Sequence, residues 1–555
     1  MLDDGGGRDG IGEAANGAVW GEPFARDFQA RCPQCLSSKT RADLAYGEAR
    51  YWQERHRRAV DREAVLKEKV EELEARLRER ERQLFGKKSE RSRSRERCET
   101  GKASKPRRKR GQQPGQPGHG RRRQTNLPVI EEVYDLEPDQ RACRQCHEPL
   151  VPFGGTEDSE IIEVEVRAHR RLVRRKRYRR SCSCPTQPGI VTAAGPPRVI
   201  ARTGLGVSVW VKILLDKFLF QHPTHRLLSE LGWTLDLGIA QGTVTGGLKR
   251  LAVLFEPLLA AIVAKNLADN RWHGDETRWP VFCAREGKVG YRWQLWVFQS
   301  LSAVVFKVDP SRAAKVAIEH FGERATGILS VDRYAAYKVL AKRGRIVLAF
   351  CWAHVRRDFI ELAASRGGTY EVWAFEWVER IGALYRLNKC RLAVLDDTAA
   401  FALADAKLRA AIEEMAEQRK AELARGDLRR ACAKVLTSME NHWAGLVVFV
   451  NHPEVPMDNN TAERAHRGPV VGRKCYYGSG SAWSAQLAAT MFSVFQTVLL
   501  WKVNPRSWLS WYLESCAANG GNAPENVAAY LPWNFSDRQR MQFGVNGEPS
   551  RADTS

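Results

Sequence analysis

The sequence predicts a multidomain α/β protein. Its core is a mixed sheet with flanking helices and a helical insertion, preceded by a coiled coil, a basic linker and a small cysteine-bearing domain. Three observations carry that expectation. Between 271 and 350, short apolar segments of strand length alternate with segments of helical composition. Between 50 and 85 the chain is dense in Glu, Arg, Lys, Leu and Ala and has no Pro or Gly. Positive charge is concentrated rather than spread. Residues 86–123 carry fifteen Lys and Arg against three acids, and Arg167–Arg180 carries nine basic residues and no acid, which together account for nearly all of the net +23.

At 555 residues the chain is long enough for several cores. Residues 1–49 begin Gly-rich and polar and read as a disordered tail; the lone Cys32-Pro-Gln-Cys35 in it is a weak metal signal. In 50–85, Leu66, Val70, Leu73, Leu77 and Leu84 fall on steps of four and three that skip Arg80, a heptad seam suited to self-association. A solvated helix packed on its own chain is the competing reading. Residues 86–127 form a basic linker. Gly111-Gln-Gln-Pro-Gly-Gln-Pro-Gly-His-Gly120 within it breaks regular structure. Charge this dense suits a polyanion, because each phosphate neutralised releases counterions. Lys105, Arg107, Arg108, Lys109, Arg110, Arg121, Arg122 and Arg123 are the candidate contacts to nucleic acid.

Residues 128–190 hold two close cysteine pairs, Cys143-x-x-Cys146 and Cys182-x-Cys184, with a strand expected at Ile161–Val166 between them. Four thiolates from two pairs suit a tetrahedral structural Zn²⁺, and His147 is a possible substitute ligand. Residues 191–265 read as helical. His225–Leu231 and Ala240–Leu251 flank a Gly-containing connection, which fits either a helix-turn-helix or a plain helical hairpin.

Residues 266–360 carry the chemistry. Asp275 lies in Arg271-Trp-His-Gly-Asp-Glu-Thr, Tyr291–Gln299 and Ala303–Val308 read as strands, and Pro310–Phe321 has helical composition. Gly327–Asp332 is a buried-type strand ending on an acid, Ala335–Lys342 a helix, and Ile346–Phe350 a further strand. Three consecutive strands followed by βαβ units describe a ribonuclease-H-like core, in which the first and fourth strands lie side by side. That order brings Asp275 and Asp332 together. Clustered carboxylates repel unless a cation neutralises them, and oxygen ligands select Mg²⁺ or Mn²⁺. Such a site can cut a phosphodiester with water and join it with a 3′-hydroxyl. Residues 361–450 read as a helical insertion, so a third acid must come from 451–500.

The strings HGDET, SVDRYAAY, CWAHVRRDF, RIGALYR, DNNTAERAHR and GRKCYYGSGS, with RQLFGKKSER and GQPGHG nearer the N-terminus, resemble the insertion sequence 66 family of transposases from about 50 to 515. The resemblance implies a leucine zipper, a zinc-binding domain and a ribonuclease-H-like core with a helical insertion. It also implies a small element in 501–555 and a catalytic, metal-holding set of Asp275, Asp332 and Glu463. The implied partners are DNA (terminal inverted repeats and target), a second copy of the chain through the coiled coil, and accessory proteins of the same element. Arg464, Arg467, Arg473 and Lys474 beside the last motif join the DNA-binding candidates. The sequence departs from the family where Cys182-x-Cys184 replaces a second C-x-x-C, at Cys475 in place of the usual Asn, and around Trp483.

Other readings stay open from sequence. Asn460-Thr-Ala-Glu463 has the spacing of a helix capping box, which gives Glu463 a purely structural role. A DNA-binding regulator without catalysis and a nuclease that cuts but does not join both fit the same modules. The opening MLDDGGGRDG lacks the apolar core of a signal peptide. The best apolar run, Ala252–Ala264, is interrupted by Glu256 and Pro257. A bacterial cytoplasmic protein at the nucleoid, with no membrane partner, is therefore expected, and thirteen cysteines there argue for metal binding or buried thiols.

Overall fold

The computed structural model describes residues 38–85 and 128–544, apart from 143, 152–158, 160, 180, 182–187, 189, 285–290, 324, 344 and 367. The chain divides into two compact units at Lys105/Pro106. In the first, one long helix, α1 (Ser38–Phe85), holds the expected heptad positions. It starts at Ser38 rather than at 50. The helical part of the segment before 50 carries three Ala (Ala42, Ala45, Ala49) and no Pro, and the single Gly47 does not stop it.

The second unit opens with a short antiparallel pair, β1 (Arg177–Arg179) and β2 (Ile190–Thr192). Ile161–Val166 forms no strand, contrary to its alternating pattern: its residues are exposed and have no ladder partner among the described residues, and alternation alone does not supply one. Four helices follow: α2 (Val207–Phe218), α3 (Thr224–Leu235), α4 (Gln241–Ala252) and α5 (Glu256–Ala268). Then come β3 (Arg271–Pro280), β4 (Arg292–Ser300), β5 (Val304–Asp309), α6 (Lys315–Phe321), β6 (Thr326–Val331), α7 (Ala335–Arg343) and β7 (Arg345–Phe350). The insertion comprises α8 (Trp352–Arg366), α9 (Gly368–Leu392), α10 (Thr398–Ala424), α11 (Arg430–Glu440), α12 (Trp443–Leu446) and α13 (Val448–Asn451). The chain ends with α14 (Asn460–Tyr476), α15 (Ala482–Leu500), α16 (Pro505–Ala518) and α17 (Asp537–Phe543).

The sheet order is β5-β4-β3-β6-β7. β3, β4 and β5 pair antiparallel, while β6 is parallel to β3 and β7 to β6. This is the mixed sheet expected of a ribonuclease-H-like core. Because side chains alternate along a strand, β3 serves two layers. Trp272 and Glu276 face the layer of α6 and α7, where Trp272 meets Phe321 and the Tyr337 hydroxyl donates to Glu276. His273, Asp275, Thr277 and Trp279 face α14 and α15. The apolar α15 covers this second face, and two of its buried hydroxyls protect the sheet edge. Ser493 Oγ and Thr497 Oγ1 accept from the outward N–H groups of Phe306 and Val304 at 2.8 and 3.0 Å.

Residues 191–265 and 501–544 do not stand apart. Trp210, Leu227, Leu231, Leu248, Trp508 and Tyr512 share one core cluster with β4, β5 and α15. The expected helix pair is α3–α4. Its inner face is buried in that core, and Gly247 admits the Trp210 ring where a Cβ would clash. The insertion has its own core around Phe359, Trp377, Ile381, Leu408 and Leu436. Gln241–Ala268 and Ala482–Leu500 are long and apolar enough to cross a membrane by composition. The first is two helices joined by a turn at Val253–Phe255, and the second is the buried helix α15.

Candidate active site

The β3–β6 pairing runs from Arg271↔Ile328 to His273↔Ser330. Extending that register by two residues puts Asp275 level with Asp332, on strands about 4.8 Å apart. Asp332 is the first residue beyond β6, and its Oδ1 accepts the Tyr334 N–H at 2.9 Å, closing the loop into α7.

Glu463 reaches the same end of the sheet through its helix. The chain returning from the insertion is tied to the end of β7, where Trp352 N donates to Met457 O at 2.9 Å and Asn459 N to Cys351 Sγ at 3.2 Å. Asn459 is the N-cap of α14, but its side chain does not cap. Nδ2 donates to Gly274 O at 2.7 Å and Oδ1 meets His273 Nδ1 at 3.0 Å. The start of α14 is thereby fixed to β3 one residue before Asp275. No capping box forms, because Asn460 lies inside the helix and its N–H is taken by Asp458 Oδ1. The structural alternative for Glu463 loses its partner.

Two histidines that sequence reasoning passed over stand at the acids. His466 Nε2 lies 3.8 Å from Asp275 Oδ2, and His354 Nε2, on the first turn of α8, lies 3.8 Å from Glu463 Oε1. His466 follows Glu463 by three residues, the spacing that shares a helix face, so that signal was readable. His354 is visible only as part of CWAHVRRDF. Burial, and then the charges of Glu276, Asp332 and Glu463, push the Asp275 carboxyl well above the ordinary carboxylate range. Asp275 thus feels the charges of the other two acids. Burial lowers His466 to about 4, and burial, followed by Arg357, lowers His354.

Glu276, next to Asp275, is spent differently. Its side chain is 1% exposed, Oε1 takes two guanidinium N–H groups of Arg312, and Oε2 takes the Tyr337 hydroxyl at 2.7 Å. Another acid–histidine group, Asp216, His222 and Glu230, has ligand atoms within 4.8 Å of one another. The Lys212 ammonium already fills it, donating to Asp216 and Glu230 at 2.7 and 2.8 Å.

Of the expected zinc ligands, Cys143, Cys182 and Cys184 lie outside the described residues, and Cys146 is exposed with a free thiol. Lys105, Arg107, Arg108, Lys109, Arg110, Arg121, Arg122 and Arg123 also lie outside them, as does Cys32-Pro-Gln-Cys35. Arg464, Arg467 and Lys474 are exposed on α14. Arg473 turns inward instead, donating to Thr277 Oγ1 at 3.0 Å and to the Arg278 carbonyl.

Similar proteins include the uncharacterized protein y4jD of Sinorhizobium fredii, 28% identical over 73% of this chain and 81% of its own length. Another is y4qI of the same organism, 27% identical over 74% of this chain and 76% of its own. Among solved structures, a Mos1 strand transfer complex aligns at 16% identity over 28% of this chain and 59% of that one, with a TM-score of 0.11. A Mos1 transposase paired-end complex with the left transposon end aligns at 13% identity over 45% and 79%, with a TM-score of 0.12. Likeness that low carries no argument. The family model described as Transposase IS66 family matches residues 202–487, from the helices before the sheet through Glu463 and into α15, over half the chain: the protein belongs to the IS66 family of transposases.

Proposed function

We propose that this transposase nicks the ends of its own element and joins the freed 3′-hydroxyls to target DNA, with Asp275, Asp332 and Glu463 as the catalytic carboxylates. The observation that carries the reading is the convergence of β3, the β6–α7 loop and α14 at one end of the sheet, where burial and then the charges of Glu276, Asp332 and Glu463 raise the pKa of Asp275. The donor set fits a divalent cation. It offers carboxylate oxygens only, and their mutual repulsion is what a Mg²⁺ or Mn²⁺ pair relieves. When bound, such a pair activates the attacking water or hydroxyl and stabilises the leaving oxygen in an in-line displacement at phosphorus.

The chain's own residues do the positioning. Asn459 holds α14 to β3, so that Glu463 approaches Asp275 on a rigid element rather than a loop. His354 and His466, held toward the neutral form, can each offer one imidazole N–H to a carboxylate without adding a competing positive charge. The reading includes a structural Zn²⁺ on Cys143, Cys146, Cys182 and Cys184, dimers through α1, accessory proteins of the element, and a site of action at the bacterial nucleoid.

The test is strand transfer of a labelled element end by Asp275→Asn, Asp332→Asn and Glu463→Gln proteins, with thermal unfolding and zinc content read on the same preparations. Each variant is expected to fold, bind DNA and retain about one zinc, yet lose cutting and joining with Mg²⁺. Normal joining by Glu463→Gln would return the third ligand to the search, with Asp458 next. Cutting without joining in the wild type would favour a nuclease, and zinc-free wild-type protein would remove the cysteine site.

A further inference from the structure

The outer face of α14 is an organised surface that leads away from Glu463. Arg464, Arg467, Val471 and Lys474 are all exposed, and their steps of three, four and three keep them on one side of the helix. Among the described residues no ion pair holds Arg464, Arg467 or Lys474. Arg464 makes one weak contact, 3.4 Å to Thr461 Oγ1.

The stripe ends at Tyr477, which is the C-cap of the helix and has φ 64°, ψ −9°. A helix commonly ends on a left-handed residue, but that residue is usually glycine. A bulky side chain there costs conformational energy. Here the ring gains little from the fold in return, since it is 72% exposed. The turn that presents it is nevertheless rigid. Tyr477 N donates to Arg473 O at 2.8 Å, and Ser479 N donates to Pro280 O at 2.9 Å. Ser479 O accepts from Phe282 N at 2.8 Å and its Oγ from Trp279 Nε1 at 3.0 Å. A Cβ at Gly478 would run into the Pro280 carbonyl. A fixed turn thus presents an aromatic ring to solvent at the end of a row of cations that no ion pair holds among the described residues.

We infer that this stripe is the track of one DNA strand leaving the cut site, and that Tyr477 stacks on an unpaired base of that strand. The inference rests on the function proposed above and adds the path. Phosphates run past Arg464, Arg467 and Lys474, and the ring supplies the π-face that single-stranded nucleic acid recognition uses. The base must be unpaired or terminal, because both faces of an internal base in a duplex are already stacked. From Glu463 to Tyr477 the helix rises about 21 Å at ~1.5 Å per residue. At ~3.4 Å per nucleotide, that span corresponds to roughly six nucleotides from the cut.

The test uses the full chain with Ca²⁺ in place of Mg²⁺ and a duplex bearing a single-stranded flank. A 2-aminopurine is moved along the flank one position at a time. Wild type should quench the fluorophore most strongly at one position, roughly six nucleotides out by the rise and spacing above. Tyr477→Ala should abolish that quench and Tyr477→Trp restore it. Tyr477→Gly separates the contact from the fold: it should melt at or above the wild-type temperature, because glycine relieves the left-handed strain, while still losing the quench. Replacing Arg464, Arg467 and Lys474 with Gln should reduce the slope of log K against log salt by about 2, as three phosphate contacts to a single strand require. An even quench along the flank, a quench that survives Tyr477→Ala, or an unchanged salt slope overturns the track. The two readings fail separately, since joining that survives Glu463→Gln bears on the acids and not on Tyr477.

Discussion

Arg312 links the two aspartate-bearing segments through more than charge. Its guanidinium binds the buried Glu276 on β3 and lies 3.9 Å from the centre of the Tyr334 ring, while its carbonyl accepts the Tyr334 hydroxyl at 2.8 Å. Tyr334 in turn donates its backbone N–H to Asp332. Removing Arg312 leaves Glu276 buried with only the Tyr337 hydroxyl, a partner suited to a neutral acid or a single hydrogen bond. Arg312 is half exposed, so the loss is smaller than for a fully buried pair. Arg312→Ala is expected to destabilise the fold by about 2 kcal/mol, read from the denaturant midpoint. Arg312→Lys should recover only part of this, because an ammonium lacks the planar fork. A midpoint unchanged in Arg312→Ala would mean that water replaces the guanidinium without cost.

At the scale of elements, the strands and their order were readable and the exact register of their meeting was not. The run Tyr291–Gln299 and the run ending at Asp332 are apolar because β4 and β6 are buried, and they appear within a residue or two of their expected limits. The two-residue overhang that sets Asp275 level with Asp332 depends on register, which no local pattern in β3 or β6 encodes. Glu463 was legible as a motif but ambiguous as chemistry, because the capping spacing is real. The fold removes the capping box by starting the helix at Asn460 and spending Asn459 on β3.

His320 on α6 shows a similar limit. It stacks on Phe298 at 4.4 Å with Nε2 on Asn266 Oδ1 at 2.9 Å, and nothing in Pro310–Phe321 predicts a buried imidazole. Burial, followed by the charge of Lys307, lowers its pKa to about 3. The unfolded chain therefore takes up a proton near the ordinary histidine value of 6.5 that the fold refuses. Stability is present above that pH and is lost as pH falls toward 3, on the order of 3 kcal/mol by pH 4. His320→Phe should flatten the decline of unfolding free energy between pH 6.5 and 4, within the range set by that shift, measured by denaturant titration at each pH. An equally steep decline in the variant would assign the acid sensitivity elsewhere.

At the scale of the whole molecule, the concentrated positive charge suits a polyanion, and the long helix α1 would carry the proposed dimer. On α1, Leu66, Val70 and Leu73 are 61%, 54% and 56% exposed, on the heptad steps expected from sequence. Most helical stability in proteins comes from burying an apolar face, and on this 48-residue helix those seam residues lie open. A second α1 in register is the simplest cover, with Leu66, Val70 and Leu73 as alternating core positions. Leu73→Pro removes an N–H and clashes one turn back, in the middle of that seam. The variant is expected to sediment as a monomer where the wild type is dimeric. Its loss of helical circular dichroism should be confined to the α1 region, with the unfolding of residues 128–544 unchanged. A Leu73→Ala protein should keep the helix and weaken the dimer less, which separates the seam from the backbone. Wild-type protein that stays monomeric at every accessible concentration would leave α1 to cover its apolar residues on something other than itself.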